Sequence, residues 1–326
     1  MNIKKDLPSL RLQDEMRLKL FKNIKICAII ISTSLLTGCN SSDNPLAYAK
    51  NTHGRGAVKI YIEESFKPLF DTSIYTFESF FPKANITAVY RSEGEIINSF
   101  FANKTKTISI SRDFTKAEKY KLKKNSVEVR SEKIAEDALA LIIHPSNNDS
   151  LITIDELKAI VSGKQTTWKS SQAKINVVFD QKNSANFAYL IDLCKIKQLP
   201  INVFAVHSNV EVINYVKNNP SALGVIGLNW ISDQDDFDVL DFVNGIKVMS
   251  VAKDNKSGHF KPYAGFIFTR EYPLKREIWM INKAGRQTLN SGFVLFMKGE
   301  KGQLIVQKSA LVPANAPVRL IQLREE

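Results

Sequence analysis

The sequence predicts an α/β fold with mainly parallel sheets, on three observations. From Val58 onward, short apolar runs alternate with segments of helical period. Several of those helical segments open on a capping-box pair: Thr115 with Glu118, Thr153 with Glu156, Ser208 with Glu211. The composition, 44% hydrophobic and 24% charged over 326 residues, is that of a globular chain with core enough for one large or two ordinary domains. Strand–helix alternation at this spacing needs crossover connections, and those produce parallel strands.

Taken in order, Val58 to Ile62 is a strand, followed by a helix whose apolar face is Leu69, Phe70, Ile74, Phe77 and Phe81. Ile86 to Tyr90 is the next strand, and Ile96, Ile97, Phe100 and Phe101 follow at helical spacing. Thr107 to Ser111 is a third, and the basic run Lys116 to Lys124 reads as the exposed face of a surface helix. Ala138 to Ile143 is a continuous apolar strand, the pattern of a strand buried on both faces. Ile175 to Phe179 precedes a helix starting near Ser184; Leu223 to Leu228 and Ile246 to Val251 are further strands, and two short helices close the chain.

The N-terminus has a different character. Ile24 to Leu36 is an apolar stretch of thirteen residues, interrupted by Lys25 and preceded by Arg17, Lys19 and Lys22. It falls short of the roughly 20 residues a membrane-spanning helix needs and reads as a secretory leader. Met16 would start a leader of ordinary length. The stretch ends in Leu36-Thr37-Gly38-Cys39, which resembles the bacterial lipobox, so that residues 1–38 are a signal peptide and Cys39 carries a lipid that holds the protein on a bilayer. The polar segment 39–56, with Asn40-Ser41-Ser42-Asp43-Asn44-Pro45 at its head, reads as a tether too polar to fold. Expected localisation is the cell envelope.

The net charge is +12, but the first 38 residues hold seven Lys or Arg and three Asp or Glu. The remaining surplus is a solvated surface, or a weak attraction for anions or an acidic membrane; it is not the concentrated stripe that nucleic-acid binding needs. Cys27, Cys39 and Cys194 have no metal-like spacing, and Cys194 sits in an apolar run as a buried, inert thiol. The histidines at 53, 144, 207 and 259 are scattered, with no catalytic or metal spacing, so no enzyme, metal or cofactor is expected.

Ligands of open parallel sheets collect where strand C-termini meet helix N-termini. Four such junctions carry hydroxyls and charge: Glu63-Glu64-Ser65-Phe66-Lys67-Pro68, Arg91-Ser92-Glu93-Gly94-Glu95, Ser111-Arg112-Asp113, and Asp180-Gln181-Lys182-Asn183-Ser184-Ala185-Asn186. Helix N-termini favour anions, and a serine there either caps its helix or donates to a ligand oxygen. Arg112 suits phosphate, sulfate or carboxylate bidentately, or pairs with a carboxylate of the protein.

Asp137-Ala138-Leu139-Ala140-Leu141-Ile142-Ile143-His144-Pro145-Ser146-Asn147 resembles the strand that crosses between lobes in PstS-type phosphate-binding proteins of ABC transporters. Thr153 to Lys164 with Thr167-Trp168-Lys169, and Asn219-Pro220-Ser221-Ala222-Leu223-Gly224-Val225-Ile226-Gly227, are similar to further segments of that family. Tyr272-Pro273-Leu274-Lys275-Arg276 resembles its return crossing, and Gly302-Gln303 with Val312-Pro313 the end of its last helices. The resemblance implies a type II periplasmic binding protein: lobe I from 57–138 plus 274–326, lobe II from 139–273, and hinge strands near Leu139 to Ile143 and Arg276 to Ile281. It implies a monomer that captures phosphate or a related small oxyanion for an ABC permease. The alternative is a sensing or binding module of the envelope with an altered or lost ligand.

Carried over junction by junction, the resemblance implies ligand contacts from Ser65 and Phe66, from Ser92 and Glu93, from Ser111 and Arg112, and from Asp180, Ser184, Ala185 and Asn186. At the second junction Glu93 and Glu95 replace family glycines or serines; at the fourth, Asp180 and Asn186 stand where the family has arginine and threonine. A charge swap would reconcile these departures, with Arg112 as the cation and Asp180 in the acidic role.

Overall fold

The computed structural model describes residues 51–315 apart from 197 and 234–236. The leader, Cys27, Cys39 and the tether up to Lys50 lie outside the described residues. The first part of the chain runs β1 (Arg55–Glu63), a tight turn (Glu64–Phe66), α1 (Lys67–Phe80), β2 (Lys83–Arg91), α2 (Glu93–Phe101), β3 (Thr107–Ile110) and α3 (Lys116–Lys124). A long strand, β4 (Arg130–Ile143), leads to β5 (Leu151–Thr153), α4 (Ile154–Val161), β6 (Asn176–Phe179), α5 (Ala185–Cys194), β7 (Val203–Ala205), α6 (Asn209–Asn218) and β8 (Ala222–Gly227). Then come α7 (Asn229–Ser232), α8 (Phe237–Val243), β9 (Lys247–Val248), β10 (Ser250–Ala252) and α9 (Ala264–Phe268). The chain returns through β11 (Lys275–Asn282) to α10 (Leu289–Lys298), α11 (Glu300–Lys308) and β12 (Val312–Pro313).

The main sheet has the order β2-β1-β3-β11-β4-β8-β6-β7. β1 pairs in parallel with β2 and β3, and β6 in parallel with β7 and β8. The two parallel groups meet on β4, whose fourteen residues span about 46 Å at 3.3 Å per residue. Residues Arg130 to Ala138 of β4 pair with β11, and Leu139 to Ile143 pair with β8. The return occurs at the same level: Leu139 N–H donates to the Leu274 carbonyl at 2.9 Å, and the Tyr272 hydroxyl to the Leu139 carbonyl at 2.7 Å. Two α/β lobes are thus joined by two crossing strands, the architecture expected from the sequence.

The halves of β4 differ in chemistry because they sit differently. Ala138 to Ile143 is buried at every position, which explains its unbroken apolar sequence. Each of its leucine and isoleucine side chains, fully buried, contributes roughly 1.5–3 kcal/mol. Arg130 to Lys133 and Glu136 are half-buried, and most of their charges are paired: Lys133 with Glu136 at 3.0 Å, Glu132 with Lys298 at 2.6 Å. On the first lobe α1 and α10 are riveted by aromatic contacts, Phe77 lying 5.4 Å from Phe293 edge-on.

Most elements fall where periodicity puts them, and the predicted caps form: Thr115 and Thr153 accept from Glu118 and Glu156 N–H, both at 3.2 Å, and Ser208 from Glu211 at 3.2 Å. Three differences have physical causes. The run Ile246 to Val251 is two strands, not one: Met249 still donates to Leu141, but from Ser250 the chain leaves the main sheet and joins β5 in a separate pair. Residues 51–56, read as the end of the tether, are folded; Asn51 Oδ1 accepts from Leu289 N–H at 2.7 Å, capping α10 from outside that helix. β4 begins eight residues before its apolar run. Cys194, expected to be buried, is half-buried; burial pushes its thiol up to about 11, which disfavours the reactive thiolate.

The Ser162-Gly163-Lys164 turn and Trp168 also gain a reason. Gly163 has φ +74°, which suits glycine after α4, and the buried Trp168 donates its indole N–H to the Ser221 carbonyl at 2.9 Å. One hydrogen bond thereby ties two of the segments on which the family resemblance rests.

Candidate functional site

β1 and β6 belong to the two different parallel groups of the sheet, and each hands over at its C-terminus to a helix. After β1 the chain tightens through Glu64–Phe66, and Pro68 in the first turn of α1 needs no N–H partner. After β6, Ser184 caps α5 by accepting from Phe187 N–H at 3.1 Å. The two junctions meet on one carboxyl group. Glu63 Oε2 accepts from Ser65 N–H at 2.9 Å and from the Ser65 hydroxyl, while Glu63 Oε1 accepts from Ala185 N–H at 3.2 Å.

A single guanidinium crosses this cluster. Arg276, second residue of β11 and 5% exposed, donates from Nε and Nη2 to Asp137 Oδ2 at 2.8 and 2.7 Å. Its Nη2 also reaches Ser65 Oγ at 2.9 Å, and its Nη1 Asn186 Oδ1 at 2.6 Å. The Arg276 guanidinium lies 4.8 Å over the Phe66 ring, a cation–π contact in a dry setting. Asp180 accepts from Ser184 Oγ at 2.6 Å and from Asn186 Nδ2 at 3.0 Å. Asn209, the first residue of α6, donates to Glu64 and to Asp180, and accepts from Gly227 N–H at 3.0 Å.

Three carboxyl groups, Glu63, Asp137 and Asp180, therefore lie around one arginine, and Glu64 joins them through Asn209. Burial disfavours their charged forms. It pushes Glu63 up to about 8, helped by the neighbouring charge of Asp180, Glu64 up to about 7, and Asp180 up to about 6. Asp137 is also raised, its burial outweighing the adjacent guanidinium. Arg276 stays above its ordinary value: burial works against its charge, but Asp137 and Glu63 outweigh it. Burial and mutual repulsion thus shift these carboxyls toward their protonated forms, which eases the crowding of acidic groups around one guanidinium.

A second network forms at the neighbouring junctions. Glu93 Oε2 accepts from Ser111 N–H at 2.8 Å and Ser111 Oγ at 2.6 Å, and Glu93 Oε1 lies 3.3 Å from Arg112 Nε. Arg112 forks onto Glu118 at 2.8 and 2.9 Å, which holds the Glu118 carboxyl down at about 2. Ser92 donates from its N–H and hydroxyl to Glu95 at 3.3 and 3.0 Å. Gly94 N–H donates to the Asn183 carbonyl at 3.3 Å, joining the second junction to the fourth.

All four junctions singled out in the sequence therefore meet. Ser65, Phe66, Asp180, Ser184, Ala185 and Asn186 share the network of Arg276; Glu93, Ser111 and Arg112 share the other, while Ser92 caps its own helix with Glu95. The guanidinium in the first network is Arg276, while Arg112 is engaged by Glu118 and Glu93. Sequence reasoning passed over Glu63, Glu64, Asp137, Asn209 and Arg276. Glu63 and Glu64 directly precede Ser65 at a strand end, a signal that was present; Arg276 lies 211 residues from Ser65 and gave none.

Gly227, the last residue of β8, makes the close approach possible. A Cβ there would sit 2.7 Å from Arg276 Nη2 and 2.8 Å from Ser65 Cβ. Gly227→Ala is expected to destabilise the fold by about 1–3 kcal/mol through overpacking, seen as a lower urea midpoint with unchanged m. An unchanged midpoint would contradict this packing.

Residues 49–300 match the family model described as the PBP superfamily domain. A phosphate-binding protein PstS of Borreliella burgdorferi is 27% identical over 305 residues, covering 89% of this chain and 98% of the relative. PstS of Staphylococcus epidermidis is 22% identical over 284 residues, 84% of each. Among solved structures, a putative phosphate ABC transporter substrate-binding protein with bound phosphate from Clostridium perfringens superposes with a TM-score of 0.68 at 22% identity, over 79% of this chain and all of that one. An ABC-type phosphate transport receptor from Vibrio cholerae gives 0.60 at 18% identity, with the same coverage. The chain belongs to the PBP superfamily domain family, and its relatives there are of PstS type.

Proposed function

We propose that this chain is an extracytoplasmic solute-binding lipoprotein that captures phosphate or a related small oxyanion for uptake by an ABC transporter. One observation carries the reading: Ser65 N–H and Oγ–H from one lobe and Ala185 N–H from the other converge on a single carboxyl group, with Arg276 bonded to the same Ser65 hydroxyl. That is a seat for an oxyanion, built from both sides of a cleft. The names of the relatives supply the solute and the transporter. Lobe I is 57–138 plus 274–326 and lobe II 139–273, a division supported by the change of partner along β4 between Ala138 and Leu139. Closing the lobes over the solute excludes water and strengthens each hydrogen bond to it.

Solute contacts fall to Ser65, Phe66, Ser184, Ala185 and Asn186 with Arg276 beside them; Asp180 lines the floor. Ser92, Glu93, Ser111 and Arg112 form the adjoining wall. The lipid on Cys39 and the leader before it account for an envelope location. Titration calorimetry of the purified protein with inorganic phosphate is expected to show one site. Phosphate at a hundred times its dissociation constant should stabilise the fold by about 2.7 kcal/mol. Neither heat nor thermal shift with phosphate, arsenate, sulfate and a phosphomonoester would remove the reading.

A further inference from the structure

The oxyanion seat already has a tenant. Glu63 places one carboxyl oxygen on Ser65 of its own lobe and the other on Ala185 of the opposite lobe. Glu63 and Ser65 are 0% exposed and Ala185 2%, so nothing shares the seat while Glu63 is in it. We infer that Glu63 is an internal ligand of the cleft: its carboxyl stands in for the solute, bridges the lobes when solute is absent, and must swing out before solute binds. This rests on the oxyanion-binding reading for the identity of the solute, but not for the bridge itself.

A helix-capping role accounts for only part of the geometry. Capping explains the bond from Ser65 N–H, two residues away, and a neutral asparagine or serine caps as well. It does not explain the bond from Ala185, 122 residues away. Nor does it explain placing a carboxyl at zero exposure against Asp180 and Glu64, where burial and like charge both oppose it. A stand-in for an anionic solute needs those properties: two acceptor oxygens, contact with both lobes, and Arg276 nearby. Asp180 and Glu64 do not share its place, since their side-chain hydrogen bonds go to Ser184, Asn186 and Asn209. If Glu63 leaves, Ser65 N–H, Ser65 Oγ–H and Ala185 N–H are freed together beside Arg276, a donor set for an incoming oxyanion. Glu63 would then set the affinity by competition.

The test uses the full chain with Glu63→Ala, Glu63→Gln and Ala185→Pro, titrated with inorganic phosphate and measured by solution scattering with and without it. Glu63→Ala is expected to bind phosphate more tightly by on the order of tenfold, since the carboxyl that occupies the same donors is gone. Without phosphate it should show a larger radius of gyration than the parent, and with phosphate recompact. Glu63→Gln keeps a single acceptor oxygen, for Ser65 or for Ala185 but not both, and turns an amide NH2 toward the other donor; it should tighten less than Glu63→Ala and expand less without phosphate. Ala185→Pro removes only the donor of the second lobe, at a first helical position where proline is tolerated and after a residue already extended at φ −69°, ψ 162°. It should expand without phosphate even where Glu63→Ala fails to fold. A folded Glu63→Ala that binds phosphate no more tightly than the parent overturns the inference, as does Ala185→Pro that stays compact. If Glu63→Ala expands but neither it nor the parent binds phosphate, the bridge stands and the phosphate reading falls.

Discussion

Arg276→Met lowers the unfolding free energy by about 3–5 kcal/mol, the usual consequence of removing one partner from a buried ion pair. The guanidinium is the group that Asp137, Ser65 and Asn186 all address, and burial leaves water no route to replace it. Methionine fills much of the volume, so the loss reports charge and hydrogen bonding rather than a cavity. The loss should be smaller at pH 5 than at pH 8, because at low pH the abandoned carboxyls are neutralised by protons. Adding Asp137→Leu should recover part of the stability, since an apolar pair of similar volume is often as stable as a buried ion pair. Urea unfolding of the two variants at both pH values checks this. Equal losses at the two pH values would mean that Arg276 does not balance the carboxyl cluster.

Raising the pH from 5 to 8 should destabilise the protein by on the order of several kcal/mol. The sign follows from proton uptake. Glu63 and Glu64 bind protons more tightly folded than unfolded, with folded values of about 8 and about 7 against an ordinary 4.5. Between pH 4.5 and 8 the folded state therefore holds protons that the unfolded state has released, and stability falls as pH rises. Asp180, raised to about 6, adds to the fall at the acid end. Glu118, held at about 2 by Arg112, acts in the opposite sense: its stabilisation is complete above its unfolded value and is lost only in stronger acid. The stability maximum thus lies on the acid side of neutrality. Urea midpoints from pH 4.5 to 8.5 measure the slope, and Glu63→Gln should flatten it; a midpoint that rises through this window would contradict a buried, proton-holding Glu63.

Much of this fold is legible along the chain because burial writes itself into local composition. Ile62, Phe179 and the Ala138 to Ile143 run are apolar since their strands are covered, and Ser184, Thr115 and Thr153 announce helix starts because orphaned N–H groups need acceptors. The first half of β4 is hidden because its charges are satisfied by Glu277, Lys275 and Lys298, on elements more than a hundred residues later. β10 is misjoined to β9 because nothing local reveals which edge a short strand will find.

The candidate site divides along the same line. Sequence by itself determined that four strand-to-helix junctions carry hydroxyls and charge, that Ser65 and Ser184 head helices, and that Asp180 and Asn186 depart from the family pattern. Only the tertiary structure decided which groups face one another. It set Arg276 beside Ser65, put Arg112 on Glu118, and turned Glu63 from a strand-end residue into the bridge between two lobes. Local sequence encodes the hydrogen bonds a residue can make with its chain neighbours. Which distant partner it meets, and whether its charge survives there, depend on burial that exists only once the lobes are packed.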